Sequence, residues 1–347
     1  MRAVLGALGL MLALALAPPA AGFEIEEETR FAAAGGPELA LLSVLSTTDT
    51  EVLAPVIEAF QAANPGIALR YTVANSQQVY AAMAEDGATY DLVISSAMDL
   101  QMKLANDGLA RAFHSAASDA LPEWARWQDL LFAFAQEPVV LIVSRAVLDG
   151  AAPPRTRREL TLLLRDHPER FAGKIGTYDP EKSGAGYLFV TQDARLSDTF
   201  WRLAEVMGGL RPTLYESSAP MIADLKAGRL VLAYNVLGSY AAPRISAVDG
   251  LAMIELEDHT LTLLRTALVP RAAEAPELGA RFLDFLLGAE GRALIASKAG
   301  LPPIDAAALA AKPHLRPIRL DAGLIVYLDV LKRRAFLEEW QAALIQP

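Results

Sequence analysis

LALLSVLSTTDT, residues Leu39 to Thr50, decides the fold. Leu39 to Leu45 is a near-continuous apolar run, as a strand covered by helices on both faces requires. It breaks into the small hydroxyl turn Ser46-Thr47-Thr48 and then into a helical spacing of Val52, Val56, Ile57 and Phe60, stopped at Asn64-Pro65-Gly66. Downstream the unit repeats. Ile67 to Val73 reads as a second strand, and Asn75-Ser76 caps a helix through Val79, Met83 and Ala84. Asp91 to Ile94 is a third strand, ending in Ser95-Ser96. The pattern βαβαβ predicts an open α/β sheet.

A second α/β segment follows. Pro138 to Val143 is a long β-branched run, and Lys174 to Tyr178 is a strand that leads into Ser183-Gly184-Ala185-Gly186-Tyr187 and a helix. Tyr215-Glu216-Ser217-Ser218 precedes a helix from Pro220 to Ala227, and Leu230 to Tyr234 is again a strand. Leu261 to Val269 reads as one long bent strand, and the chain from about Ala280 is mainly helical.

The chain opens with Met1-Arg2, an apolar run from Val4 to Ala17 and a small-residue end at Ala20-Ala21-Gly22. This is the plan of a secretory signal peptide over 1–22, too short to span a bilayer, and it places the protein in the periplasm. Glu24 to Glu28 and the small residues to Gly36 read as a flexible leader over 23–37. There is no cysteine, which excludes disulfides, thiolate metal sites, thiol nucleophiles and a lipid anchor on cysteine. The formal charge of −10, from 41 acidic and 31 basic residues, argues against nucleic acid.

Four strand ends carry hydroxyl or glycine clusters that open helices: Ser46-Thr47-Thr48, Ser95-Ser96, Ser183-Gly184-Ala185-Gly186 and Ser217-Ser218. Each alone is an ordinary helix cap. Together, at the carboxyl ends of strands in two α/β segments, they predict a ligand site built from free helix N–H groups. His114, His167, His259 and His314 are scattered, without metal spacing, and read as surface or loop residues. Trp124 and Trp127 read as helical packing residues, and Arg244 as a possible countercharge at the surface.

Five stretches carry a resemblance: LLSVLSTTDTEVLAPVIEAFQAANPGI, YDLVISSAMDLQMKLANDGL, YDPEKSGAGYLF, LKAGRLVLAYNVLGSYA and LVPRAAEAPELGARFLDFLLGAEGRALIA. In this order they resemble the type II periplasmic binding proteins, the substrate-binding subunits of ABC transporters, nearest the ferric-iron-binding group and the phosphoglycerate-sensing regulatory proteins. The resemblance implies two α/β lobes that close on a ligand by hinge motion. Lobe 1 is expected over 38–135 and 268–347, and lobe 2 over 140–262. Crossovers are expected near 133–143 and 263–269.

Ferric-binding relatives hold iron with adjacent tyrosines after the strand that matches Leu230 to Tyr234. Here that slot reads Tyr234-Asn235-Val236-Leu237-Gly238-Ser239-Tyr240, with no tyrosine pair and no histidine after the first strand. The expected ligand is therefore a small anion bearing phosphate, phosphonate or carboxylate, with Fe(III) as the alternative. The expected contacts are Ser46, Thr47, Thr48, Ser95, Ser96, Ser183, Gly184, Gly186, Tyr187, Ser217, Ser218, Asn235, Ser239 and Tyr240, without metal or cofactor. A monomer that hands its ligand to an ABC permease follows from the resemblance, and a periplasmic sensor domain of a histidine kinase is the alternative partner. No Gly-x-Ser-x-Gly elbow and no His-Glu-x-x-His occur, so an exported hydrolase is disfavoured and no enzymatic activity is expected.

Overall fold

The computed structural model describes residues 22–246 and 248–346. The expected signal peptide, but for Gly22, lies outside the described residues. In chain order the strands are β1 Glu27–Phe31, β2 Ala40–Ser46, β3 Ile67–Val73, β4 Leu92–Ser95, β5 Ala110–Arg111, β6 Arg126–Trp127 and β7 Leu131–Ser144. They continue as β8 Ile175–Tyr178, β9 Thr213–Tyr215, β10 Leu232–Leu237, β11 Leu251–Ile254, β12 Thr260–Pro270 and β13 Leu315–Pro317. Among the described residues no helix is long and apolar enough to cross a membrane.

The opening unit folds as parallel strands in the order β3-β2-β4. Leu42, Val44, Leu45, Leu92 and Val93 are fully buried in it. The helix Thr50–Ala63 lays Leu53, Val56, Ile57 and Phe60 on the sheet, the face its spacing marks out. One expectation fails at the outer edge. The stretch read as a flexible leader contains β1, which pairs antiparallel with β3 from Glu27 opposite Val73 to Phe31 opposite Leu69. Its acidic composition suggested solvation, but an unpaired edge strand offers backbone hydrogen bonds that composition does not register.

The second lobe is built on β10, β8 and β9, which run parallel. Its sheet is extended by β7, antiparallel to β10, and by β11 on β7. Two long strands join the lobes. The first part of β7 pairs with β12 and its last part with β10, while the end of β12 pairs with β4. β12 shifts register between Arg265 and Thr266, the bend that its sequence suggested.

Two hydrophobic clusters fill the molecule: a large one that covers the first sheet and continues into the second lobe through Phe189, Met221, Ile222 and Leu225, and a smaller one within the second lobe. The chain end departs from expectation. The sequence puts the last helix, Val330–Leu344, with the first lobe, but Phe336, Trp340, Ala343 and Leu344 pack into the second cluster. Gly208 makes this possible, because a Cβ there would lie 2.2 Å from the Ala343 carbonyl oxygen. The tryptophans differ too: Trp124 lies in a 3₁₀ turn and Trp127 in β6, both packed on the large cluster.

Candidate functional site

Helix starts converge between the lobes. The first lobe contributes the N-terminal ends of Thr50–Ala63, Ser76–Ala84 and Met98–Asn106, and the second those of Gly184–Leu196, Ser218–Lys226 and Gly238–Ile245. Their flanking residues Asp49, Asn75, Ser96, Ser183, Ser217 and Leu237 all line one cavity of about 80 Å³. At about 10–15 Å³ for each water-sized group, this is room for a handful of heavy atoms. Each helix start points the positive end of its dipole at the cavity, which partly offsets the carboxylates of Glu26, Asp49 and Glu216 in the lining.

One cation does reach the cavity. Arg265, in mid-β12, is 1% exposed and lines it. Its Nε donates to Glu137 Oε1 at 2.8 Å, and Nη1 donates to the Thr48 hydroxyl. Nη2 lies 2.8 Å from the same Glu137 oxygen but off the hydrogen-bonding axis, and it has no acceptor. Burial is the largest effect and works against the guanidinium charge, but Glu137, Tyr240 and Tyr71 together outweigh it and its pKa is raised. Tyr240 stands over this group, 5.8 Å from ring centre to guanidinium. Burial pushes the Tyr240 phenol up to about 12, so it stays protonated.

The lobes touch across the cavity. Gly184 N donates to Ser76 Oγ at 3.0 Å, and Asp49 N donates to the Tyr240 hydroxyl at 3.3 Å. Arg244, half-buried rather than free at the surface, lies 3.6 Å from Asp49. The two lobes are therefore in direct contact across the cavity.

Of the residues proposed from sequence, Thr47, Ser96, Ser183, Ser217, Ser218 and Tyr240 line the cavity. The others lie elsewhere, for local reasons. Ser46 and Ser95 turn inward, and their hydroxyls accept from Thr48 N and Ala97 N. Thr48 accepts from Arg265, and Ser239 donates to Glu137, so both support the arginine from behind. Gly184 is spent on the contact with Ser76, and the space where Gly186 lacks a Cβ is taken by Tyr178. Tyr187 faces the chain end, donating to the Tyr327 carbonyl at 2.5 Å.

Asn235 is drawn away by a buried ionic network. Its amide donates to Asp193 at 2.9 Å, from a left-handed backbone (φ 63°) at the bulge in β10. Asp193 also pairs with Arg157 at 2.8 Å, accepts from the Tyr234 hydroxyl and contacts His259. Burial alone would raise its carboxyl; Arg157, His259 and Asn235 together hold it down at about 2. His259, read as a surface residue, is thus buried at 5% exposure in the second lobe. Sequence reasoning also passed over Glu26, Asp49, Asn75, Ser76, Tyr178, Glu216 and Arg265 as lining residues. A charged residue inside the apolar run Leu261 to Val269 was the available signal for Arg265.

Among the described residues no group of three or more His, Asp or Glu is arranged to hold a metal ion. No curated protein matches the chain. The family of bacterial extracellular solute-binding proteins matches residues 42–301. Among solved structures, the substrate-binding protein of an ABC transporter from Agrobacterium tumefaciens is 35% identical, over 93% of this chain and 99% of that one, with a TM-score of 0.87. The periplasmic binding protein AfuA from Actinobacillus pleuropneumoniae, solved with exogenous fructose-6-phosphate, is 16% identical over 89% of this chain and all of its own, with a TM-score of 0.72. Iron-bound HitA from Pseudomonas aeruginosa is 17% identical over 77% of this chain and 87% of its own, with a TM-score of 0.66. The last two share the fold. With the family match and the two lobes in contact across a cavity of helix starts, the chain belongs to the bacterial extracellular solute-binding proteins, type II periplasmic binders of ABC transporters.

Proposed function

We propose that this solute-binding protein captures a small anion, bearing phosphate, phosphonate or carboxylate, and delivers it to an ABC permease. The observation that carries the reading is a cavity ringed by six helix starts with the buried Arg265 guanidinium in its lining. An anion in the cavity meets the guanidinium and the positive ends of the helices together. Closure of the lobes desolvates the anion and the guanidinium at once, which strengthens their attraction.

Iron is the weaker reading. Tyr234, at the position of the ferric-binding tyrosines, is held inside the second lobe by Arg157 and Asp193. The Ser183 hydroxyl accepts from Gly186 N at 3.1 Å, the role of a helix cap.

The test is a thermal-shift panel of inorganic phosphate, methylphosphonate, small carboxylates and Fe(III) citrate. A ligand at about 100 times its Kd stabilises the fold by about 2.7 kcal/mol. At least one anion is expected to raise Tm, and the joint replacement Arg265→Met with Glu137→Leu, which leaves no lone buried charge, is expected to abolish the rise. A response to Fe(III) alone, or one that survives the replacement, would remove the anion reading.

A further inference from the structure

We propose that Glu26 is a ligand-binding residue and that the solute is a small zwitterion, its anionic group held inward by Arg265 and its ammonium group outward against Glu26. This rests on the anion reading above and goes beyond it.

Glu26 is held in place by backbone pairing. Its N–H donates to the Val73 carbonyl at 2.8 Å, just ahead of β1, beside the carboxyl end of β3. The preceding residues are fastened too: Glu24 N donates to Gln78 Oε1 at 2.8 Å, and Phe23 N to Asp86 Oδ2 at 2.9 Å. So anchored, Glu26 lines the same cavity as Arg265, at its exposed rim, while Arg265 lies at its buried floor.

Two other carboxylates reach this cavity, and both are paired. Asp49 has Arg244 at 3.6 Å, and Glu216 has Lys182 at 3.8 Å. Glu26 makes no ion pair or side-chain hydrogen bond among the described residues. Its carboxyl pKa is raised, first by partial burial and then by Asp49 and Glu216, so a neighbouring cation would stabilise the ionised form. At the other end lies the Arg265 guanidinium, 2.8 Å from Glu137. One small cavity thus presents a buried guanidinium at its floor, already braced by Glu137, and a carboxylate without an ion pair at its rim. A solute with both charges meets both groups through charge-assisted hydrogen bonds. A solute with a second anionic group meets Glu26 as repulsion, which gives selectivity by exclusion.

The test uses calorimetry on the mature chain with two probe pairs that differ by the ammonium group, ethyl phosphate against O-phosphoethanolamine and propionate against β-alanine. In the wild type, the ammonium-bearing member of at least one pair is expected to bind roughly tenfold tighter. In Glu26→Gln, which keeps the side-chain size, that preference is expected to shrink below about threefold, while the ammonium-free probe binds as well or better. Binding of the probes with the same preference in both proteins would overturn the zwitterion and leave the anion reading standing. If none of the four probes binds, nor inorganic phosphate, the anion reading falls and the role of Glu26 falls with it.

Discussion

Asp99 shows what burial does to a single side chain. It is 2% exposed in the helix Met98–Asn106, and its carboxylate accepts from Leu100 N at 2.9 Å. Burial pushes this carboxyl up to about 7, against the smaller opposing effects of backbone hydrogen bonds and Arg333. Between about pH 4 and 7 the folded chain therefore keeps a proton that the unfolded chain has released, so rising pH favours unfolding over that window. Asp99→Asn is expected to remove this slope. Urea unfolding of the variant and the wild type is expected to give similar stability near pH 5, and a variant more stable by roughly 1–3 kcal/mol near pH 8. Equal slopes in the two proteins would refute the assignment. At this scale the sequence can be read only so far: Arg265 is conspicuous inside an apolar strand, but its partner Glu137 lies 128 residues away and no local pattern links the two.

The elements explain which hydroxyl residues meet the cavity. Adjacent residues of an extended chain point to opposite sides. Thr47 and Ser96 therefore face the cavity, while Ser46 and Ser95 turn back to cap their own turns. In a helix, one residue is a rotation of about 100°. Tyr240 accordingly reaches the cavity and Ser239 reaches Glu137 behind it. The helix Gly184–Leu196 also supplies a closure device, because a Cβ on Gly184 would meet Ser76 Oγ at 2.8 Å and Leu100 at 2.9 Å, both in the opposite lobe. Gly184→Ala is expected to hold the clamp ajar without disturbing either lobe's core. Small-angle scattering should show a liganded form that no longer compacts, and calorimetry an affinity loss of roughly tenfold. Full compaction with unchanged affinity would show that the lobes meet elsewhere. The helix starts were legible because capping is local chemistry, whereas the face each side chain takes depends on where its neighbours pack.

For the whole molecule, the chain end acts as a third tie between the lobes, after β7 and β12. β13 pairs with β12, and the final helix then buries Trp340 (2% exposed) and Phe336 against the second lobe. Trp340→Ala is expected to cost about 3–5 kcal/mol. In chemical denaturation the second lobe is expected to unfold ahead of the first, and a loss below about 1 kcal/mol would mean that the helix is an ornament of the surface. The two α/β segments, the bent strand and the helix starts rich in hydroxyl groups were determined by the sequence itself, since hydrophobic period and capping are properties of a few consecutive residues. Tertiary structure alone decided that the acidic segment after Gly22 is a paired strand bringing Glu26 to the cleft. It alone joined Arg265 to Glu137, drew Asn235 into the Asp193 network and docked the last helix on the second lobe. Each of these depends on surfaces far apart in the chain, whose match appears only when the lobes have formed and closed.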